Sequence, residues 1–297
     1  MLTGLYVAAR IIANPVSNVF QKQLTQRSAN PLFIIGATHA LLTLAVLPLL
    51  MGPAGGPVAP GFGVNITFCA VLAVAGNVLL VHALKRSDLS ILGPLNAYKA
   101  VISLALGVVV IGEVPTVLGV AGVLLILAGS GWVMDPQPHL GPGASLGRFF
   151  RERGVQLRFA ALALSATEAV FLKKALLLSS PLTAFVWWSI LGLPFAGIVV
   201  AGWLGKGTMQ ELRIFRKHWP TYLALACSTG VMQLTTLLTF GAMPVGYSLA
   251  LFQLSALLSV LLGYHYFQEG HLRRRLLGSL VMVAGAVLIV TLGRSRA

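Results

Sequence analysis

Ten stretches of about 20 mostly apolar residues divide this chain: 4–24, 32–51, 63–84, 89–111, 115–134, 157–178, 182–204, 219–240, 245–267 and 274–293. A helix needs about 20 residues to cross the hydrocarbon core of a bilayer, so each stretch has the length of one span. Composition points the same way. Of 297 residues, 57% are hydrophobic and 9% charged, where a soluble domain carries about a quarter charged. A soluble core could not absorb this much apolar surface. The fold expected is an all-α integral membrane protein with ten transmembrane helices.

The net charge of +14, from 21 bases and seven acids, would suggest nucleic acid in a soluble chain. The placement of the bases gives it another meaning. Five lie inside spans: Arg10, Lys22, Lys99, Lys173 and Lys174. Fourteen, from Arg27 to Arg275, occupy the odd-numbered connections and their flanks, and only Arg294 and Arg296 lie on the other side. Bases accumulate on cytoplasmic connections. The bias therefore predicts a multi-pass protein of the cell inner membrane, with odd connections cytoplasmic and both termini non-cytoplasmic. No nucleic-acid partner is expected. Cys69 and Cys227 both lie in apolar runs, which excludes a disulfide framework and a paired-cysteine metal site. The start of the chain carries no pattern of a cleavable signal.

The chain repeats itself. At an offset of 156, Asn77 falls on Gln233, Ser103 on Ser259, Gly107 on Gly263, Glu113 on Glu269, Gly122 on Gly278 and Gly129 on Gly285. Nearer the starts of the halves the offset is 151, and Val19-Phe20-x-Lys22 falls on Val170-Phe171-x-Lys173. Such self-similarity marks an internal repeat. It divides the chain into a first five-helix unit (1–134), a cytoplasmic linker (135–156) and a second five-helix unit (157–297). An odd number of spans per unit puts the copies in opposite orientations, as in transporters whose site lies at the midplane between inverted repeats.

The segment Gly112-Glu113-Val114-Pro115-Thr116, followed by Gly122 and Gly129, resembles the drug/metabolite transporter superfamily, EamA type. The second copy, Gln268-Glu269-Gly270 with Gly278 and Gly285, keeps the acid and both glycines but not the proline. The resemblance implies ten helices as five plus five, and a central cavity lined mainly by the first four helices of each unit. The fifth and tenth helices would be peripheral, and the cargo a small metabolite. Within the motif, Pro115 suits a first helical turn and Glu113 complements the helix dipole. Gly122 and its counterpart Gly278 permit close helix packing. A structural role is the reading for Glu113, Pro115, Glu269, Gly122 and Gly278.

Lys99 stands out among candidate site residues, about eleven residues from either end of its span. A charge at that depth is expensive and usually faces a functional cavity; the alternative is a buried ion pair, for example with Glu168. Asn96, Lys99 and Ser103 share one helix face. The second copy places Phe252, Ser255 and Ser259 there, so the charge breaks the repeat's symmetry. The first span carries Arg10, Asn14, Asn18, Gln21 and Lys22, a polar stripe unsuited to lipid. Asn77 and Gln233 match across the repeat. Glu168 is an acid within its span, a candidate coupling group or charge partner. His39 and Trp188 occupy nearly corresponding places, with local packing as the competing reading. The substrate-binding set is thus Lys99, Asn96, Ser103, Asn77, Gln233, Ser255, Asn18, Gln21, Lys22, His39 and Trp188, with no metal and no cofactor.

Signatures of metalloproteases, serine hydrolases and nucleotide-binding loops are missing from the sequence, so an enzyme is not expected. The function expected is secondary-active transport of a small polar metabolite bearing a carboxylate or phosphate, by alternating access. Competing readings are an exporter of neutral or amphipathic compounds, a lipid flippase or lipid-acting enzyme, and a passive channel. Partners would be the small-molecule substrate and membrane lipids, the protein being a monomer or homodimer.

Overall fold

A computed structural model describes residues 2–52, 54, 56–106, 116–133, 142–204, 207–243 and 245–292, with backbone alone at 103–106, 142–146, 245–247 and 292. Thirteen α-helices follow in chain order among them. The first half holds α1 (Leu2–Gln26), α2 (Pro31–Val46), α3 (Phe62–Leu84), α4 (Leu89–Leu92), α5 (Tyr98–Leu106) and α6 (Val117–Val133). Next come α7 (Pro142–Arg151), α8 (Arg153–Leu177), α9 (Pro181–Leu204), α10 (Thr208–Ala242), α11 (Val245–Phe252), α12 (Ser255–Phe267) and α13 (Leu272–Leu292). Seven helical segments among the described residues are long and apolar enough to cross a membrane. The 25-residue α1 is not one of them, because its polar stripe lowers its hydropathy.

The surface inverts that of a soluble protein. Val117 and Trp203 are 86% and 84% exposed, whereas Asn18, Gln21, Gln233, Gln253 and Ser259 are buried. A lipid solvent accounts for both facts, since it takes apolar side chains outward and leaves polar ones to find partners inside.

Local sequence explains the starts and interruptions. At the start of α2, Asn30 caps with its side chain, its Oδ1 accepting from the Leu32 N–H at 2.9 Å, and Pro31 opens the first turn. The stretch 89–111, expected as one span, is broken: α4 ends at Leu92, a 3-10 turn covers Pro94–Ala97, and α5 begins at Tyr98. Pro94 has no N–H to donate, and at Gly93 a Cβ would lie 2.3 Å from the Ser259 Cβ. The stretch 245–267 is likewise interrupted at Gln253-Leu254, between α11 and α12. In α10 the helix is kinked at His218 (φ −120°), two residues before Pro220, whose ring crowds the preceding turn. Thus α10 starts eleven residues before the expected span at 219. The segment 135–156 contains a helix, α7, and α8 begins at Arg153 rather than at 157.

Packing pairs helices across the two halves: α6 on α13, α3 on α8, α1 on α10 and α2 on α9. The α6–α13 crossing is reciprocal. A Cβ on Gly122 would stand 2.7 Å from the Gly285 carbonyl oxygen, and one on Gly285 would stand 2.6 Å from that of Gly122. Gly129 and Gly278 repeat the relationship at 2.7 and 2.6 Å. Backbones meet here because no side chain intervenes. Gly122 and Gly278 both sit in this crossing.

Candidate functional site: a charged central cavity and an ion-paired end

Between the paired helices lies a cavity of about 1110 Å³, counting its open mouth. One wall comes from α1, α10 and the α11–α12 break, with Asn14, Asn18 and Gln21, then Thr229 and Gln233, then Gln253 and Ser255. The opposite wall comes from α3, α8 and the α4–α5 break, with Asn77, Ser165, Glu168, Asn96 and Lys99. Among the described residues, three cations and one acid line it: Arg10, Lys99, Arg158 and Glu168.

The cations are held differently. Lys99 Nζ donates to Ser165 Oγ at 2.9 Å, and among the described residues no carboxylate lies within ion-pair distance of it. Arg158 donates from Nε to the Leu92 carbonyl at 3.2 Å and from Nη2 to Asn96 Oδ1. The Leu92 carbonyl is available because the helix breaks after it. Arg10 donates from Nε to Thr236 Oγ1 at 2.7 Å, and its guanidinium lies 4.9 Å over the Phe252 ring. Glu168 accepts a weak bond from Cys69 Sγ at 3.9 Å.

Of the expected binding residues, Lys99, Asn96, Asn77, Gln233, Ser255, Asn18, Gln21 and Trp188 line the cavity, as does Glu168. Lys22 and His39 do not. Lys22 is drawn into ion pairs at one end of the bundle, and His39 is buried behind Trp188, its ring 5.0 Å away. The side chain of Ser103, together with Glu113 and Pro115, lies outside the described residues. Ser17, Ser165, Arg158 and Gln253 also line the cavity and are not among the candidates named from sequence. Arg158 was counted with the cytoplasmic bases, yet Arg158, Ala161, Ser165, Glu168 and Leu172 recur every three or four residues. Extending the Glu168 face by three turns would have reached it. Gln253 carries no such signal, because its exposure to the cavity depends on the break beside it.

The ion-paired end is built around Glu269, in the connection between α12 and α13. Its Oε1 lies 2.6 Å from Lys22 Nζ. Its two oxygens accept from the backbone N–H groups of Leu89 and Ser90, each at 2.8 Å, and from Ser90 Oγ. Asp88 lies 3.8 Å from Lys22 and 2.9 Å from Arg275, which also approaches Glu269 at 3.7 Å. Lys22 further donates to the Ser87 carbonyl at 3.3 Å. Burial alone would push the Glu269 carboxyl up, but Lys22 and the Ser90 bonds outweigh it and hold it below its ordinary value. Glu269 thus caps the first backbone amides of α4, in the other half of the chain.

The fold and site define a multi-pass helical membrane protein with a polar, net-positive central cavity. Residues 5–134 match the model of the EamA-like transporter family. That match is consistent with the drug/metabolite transporter superfamily. One solved structure, described only as a crystal structure of a protein, superposes with a TM-score of 0.57 at 14% identity. The match covers 95% of this chain and 96% of that one, and shows a shared fold. No curated protein matches the chain.

Proposed function

We propose that this protein is a secondary-active transporter of a small polar metabolite bearing a carboxylate or phosphate, working by alternating access. The observation that carries the reading is the charge of the cavity: Arg10, Lys99 and Arg158 against Glu168 alone. Buried charges left without a full complement of partners are costly, and in membranes they mark substrate or ion pathways. Lys99, which keeps two of its three donors beyond the Ser165 bond, serves as the substrate's counter-charge.

The architecture supports this reading. Ten spans in two inverted five-helix units account for the pairing of helices across the halves and for the reciprocal Gly122–Gly285 and Gly129–Gly278 contacts. They also account for two interrupted helices meeting the cavity, since broken helices form midplane sites in repeat-built transporters. The EamA-like match ends at residue 134, where the first unit ends. By the positive-inside bias the Lys22–Glu269 cluster lies at the cytoplasmic end, joining α1 and the α12–α13 connection to α4. Lys173, the repeat counterpart of Lys22, instead donates to the Phe240 carbonyl at 2.7 Å. Lys22 is thus ion-paired where Lys173, among the described residues, is not. Opening the cytoplasmic end requires release of Glu269.

A thermal-shift screen of the purified protein against carboxylates, phosphates and uncharged analogues tests the reading. Stabilisation by anions supports it. Stabilisation by neutral compounds alone replaces it with export of neutral or amphipathic compounds.

A further inference from the structure

Several buried polar atoms in this protein have no partner within it, and their distribution is uneven. Six of them line the cavity: Arg10 Nη1, Gln21 Oε1, Trp188 Nε1, Thr229 Oγ1, Gln233 Nε2 and Gln253 Oε1. All but Trp188, which lies on α9, belong to the wall of α1, α10 and the α11–α12 break; these five make up the free set of that wall. On the facing wall the charged groups are engaged, Lys99 with Ser165, and Arg158 with Asn96 and Leu92. Four of the five side chains are at most 7% exposed: Gln21, Thr229, Gln233 and Gln253.

Two of these groups are oriented by bonds of their own. Gln253 donates from Nε2 to the Leu249 carbonyl at 3.2 Å, which fixes its Oε1 as the free acceptor. Arg10 is pinned through Nε to Thr236 and lies on the Phe252 ring, leaving Nη1 as the free donor. Native interiors rarely leave buried polar atoms unpaired, and a site that hydrogen-bonds a ligand strongly rejects analogues lacking the matching group. The free set contains donors for an anion, Arg10 Nη1 and Gln233 Nε2. It also contains carbonyl acceptors, Gln21 Oε1 and Gln253 Oε1, which an anion's own oxygens cannot satisfy. Among groups on a ligand, only an O–H or N–H can.

We propose that this wall reads hydroxyl or amino hydrogens carried next to the anionic group, so that the substrate is a hydroxylated or aminated small anion rather than a bare dicarboxylate or inorganic phosphate. The proposal rests on the anion reading of the cavity. Arg10 supplies the second cationic contact opposite Lys99, and Gln21 and Gln253 accept from the ligand's hydroxyl or ammonium groups. Thr229 can serve as either donor or acceptor.

The test uses the full chain in detergent and five probes: succinate, malate and tartrate, which differ only in hydroxyl count, and inorganic phosphate against glycerol 3-phosphate. Affinities are read from ligand-dependent thermal stabilisation. The expected result is a gain of roughly three- to tenfold per matched hydroxyl. Gln253→Leu and Gln21→Leu should erase that gain, so that malate and tartrate bind no more tightly than succinate does to the same variant. Thr229→Val, near-isosteric and on the same wall, reads the same quantity if either glutamine variant fails to fold. Equal affinity across each series overturns the proposal and leaves the anion reading intact, since water then satisfies these atoms. A gain that persists in all three variants also overturns it. If no probe binds, the anion reading falls and the proposal falls with it.

Discussion

Lys22, near the end of the first helix, and Glu269, 247 residues later, share a buried ion pair of 2.6 Å. The same carboxylate holds the first two backbone amides of α4, so one side chain fastens helices from both halves of the chain. Removing one partner of a buried pair typically costs about 3–5 kcal/mol. Glu269→Ala should therefore speed hydrogen exchange at the Leu89 and Ser90 amides by at least about tenfold, a change of ~1.4 kcal/mol. Unchanged protection there would show that the cluster does not hold this end closed.

The same cluster has a defined pH range. The folded-state carboxyl of Glu269 is depressed, so its contribution is present above the ordinary carboxylate value of 4.5 and is lost as pH falls through the lower folded value. Protection of Leu89 and Ser90, corrected for intrinsic exchange, should stay constant from neutral pH to about 5 and fall only below the ordinary carboxylate range. Loss of protection between pH 7 and 5 would assign the closure to another group.

The α6–α13 crossing predicts intolerance of the smallest possible addition. Gly122→Ala places a methyl 2.7 Å from the Gly285 carbonyl oxygen, and Gly278→Ala places one 2.6 Å from that of Gly129. Overpacking of this kind costs about 1–3 kcal/mol. Both variants should lower the thermal unfolding midpoint. Gly131→Ala, on the same helix with nothing within 4 Å, should leave it unchanged.

Glu168 predicts a separation of two activities. It is the sole acid among the described residues that line the cavity, and as the coupling group it would carry the proton that drives uphill movement. In reconstituted vesicles, Glu168→Gln should abolish concentrative uptake and leave exchange down matched gradients intact. Loss of both would make Glu168 a binding residue, and loss of neither would remove it from the cycle.

Much of this arrangement was legible in the sequence because it depends on local patterning. Apolar length located the long helices, and the glycines at 122 and 278 marked close-packing faces without naming the helix each would meet. The depth of Lys99 in an apolar run placed it and Asn96 on the cavity. What stayed hidden depends on backbone breaks and distant partners. Hydropathy averages over a Gly93-Pro94 pair, so the fourth stretch reads as continuous and Gln253 has no reason to be singled out in the ninth. Lys22 lies on the same polar stripe as Asn18 and Gln21, and nothing nearby in sequence foretells Glu269. Arg158 sits close enough to a span end to count as a topology marker, although its helix face carries it inward.

The most direct test is counterflow in proteoliposomes, using the anion that most stabilises the purified protein, with the native chain and Lys99→Met side by side. The account predicts saturable, trans-stimulated anion counterflow by the native protein. It also predicts a loss of at least about tenfold in Lys99→Met, or ~1.4 kcal/mol, with the thermal midpoint of the unliganded protein unchanged. Full counterflow by Lys99→Met, or counterflow of uncharged analogues alone by the native protein, would contradict it.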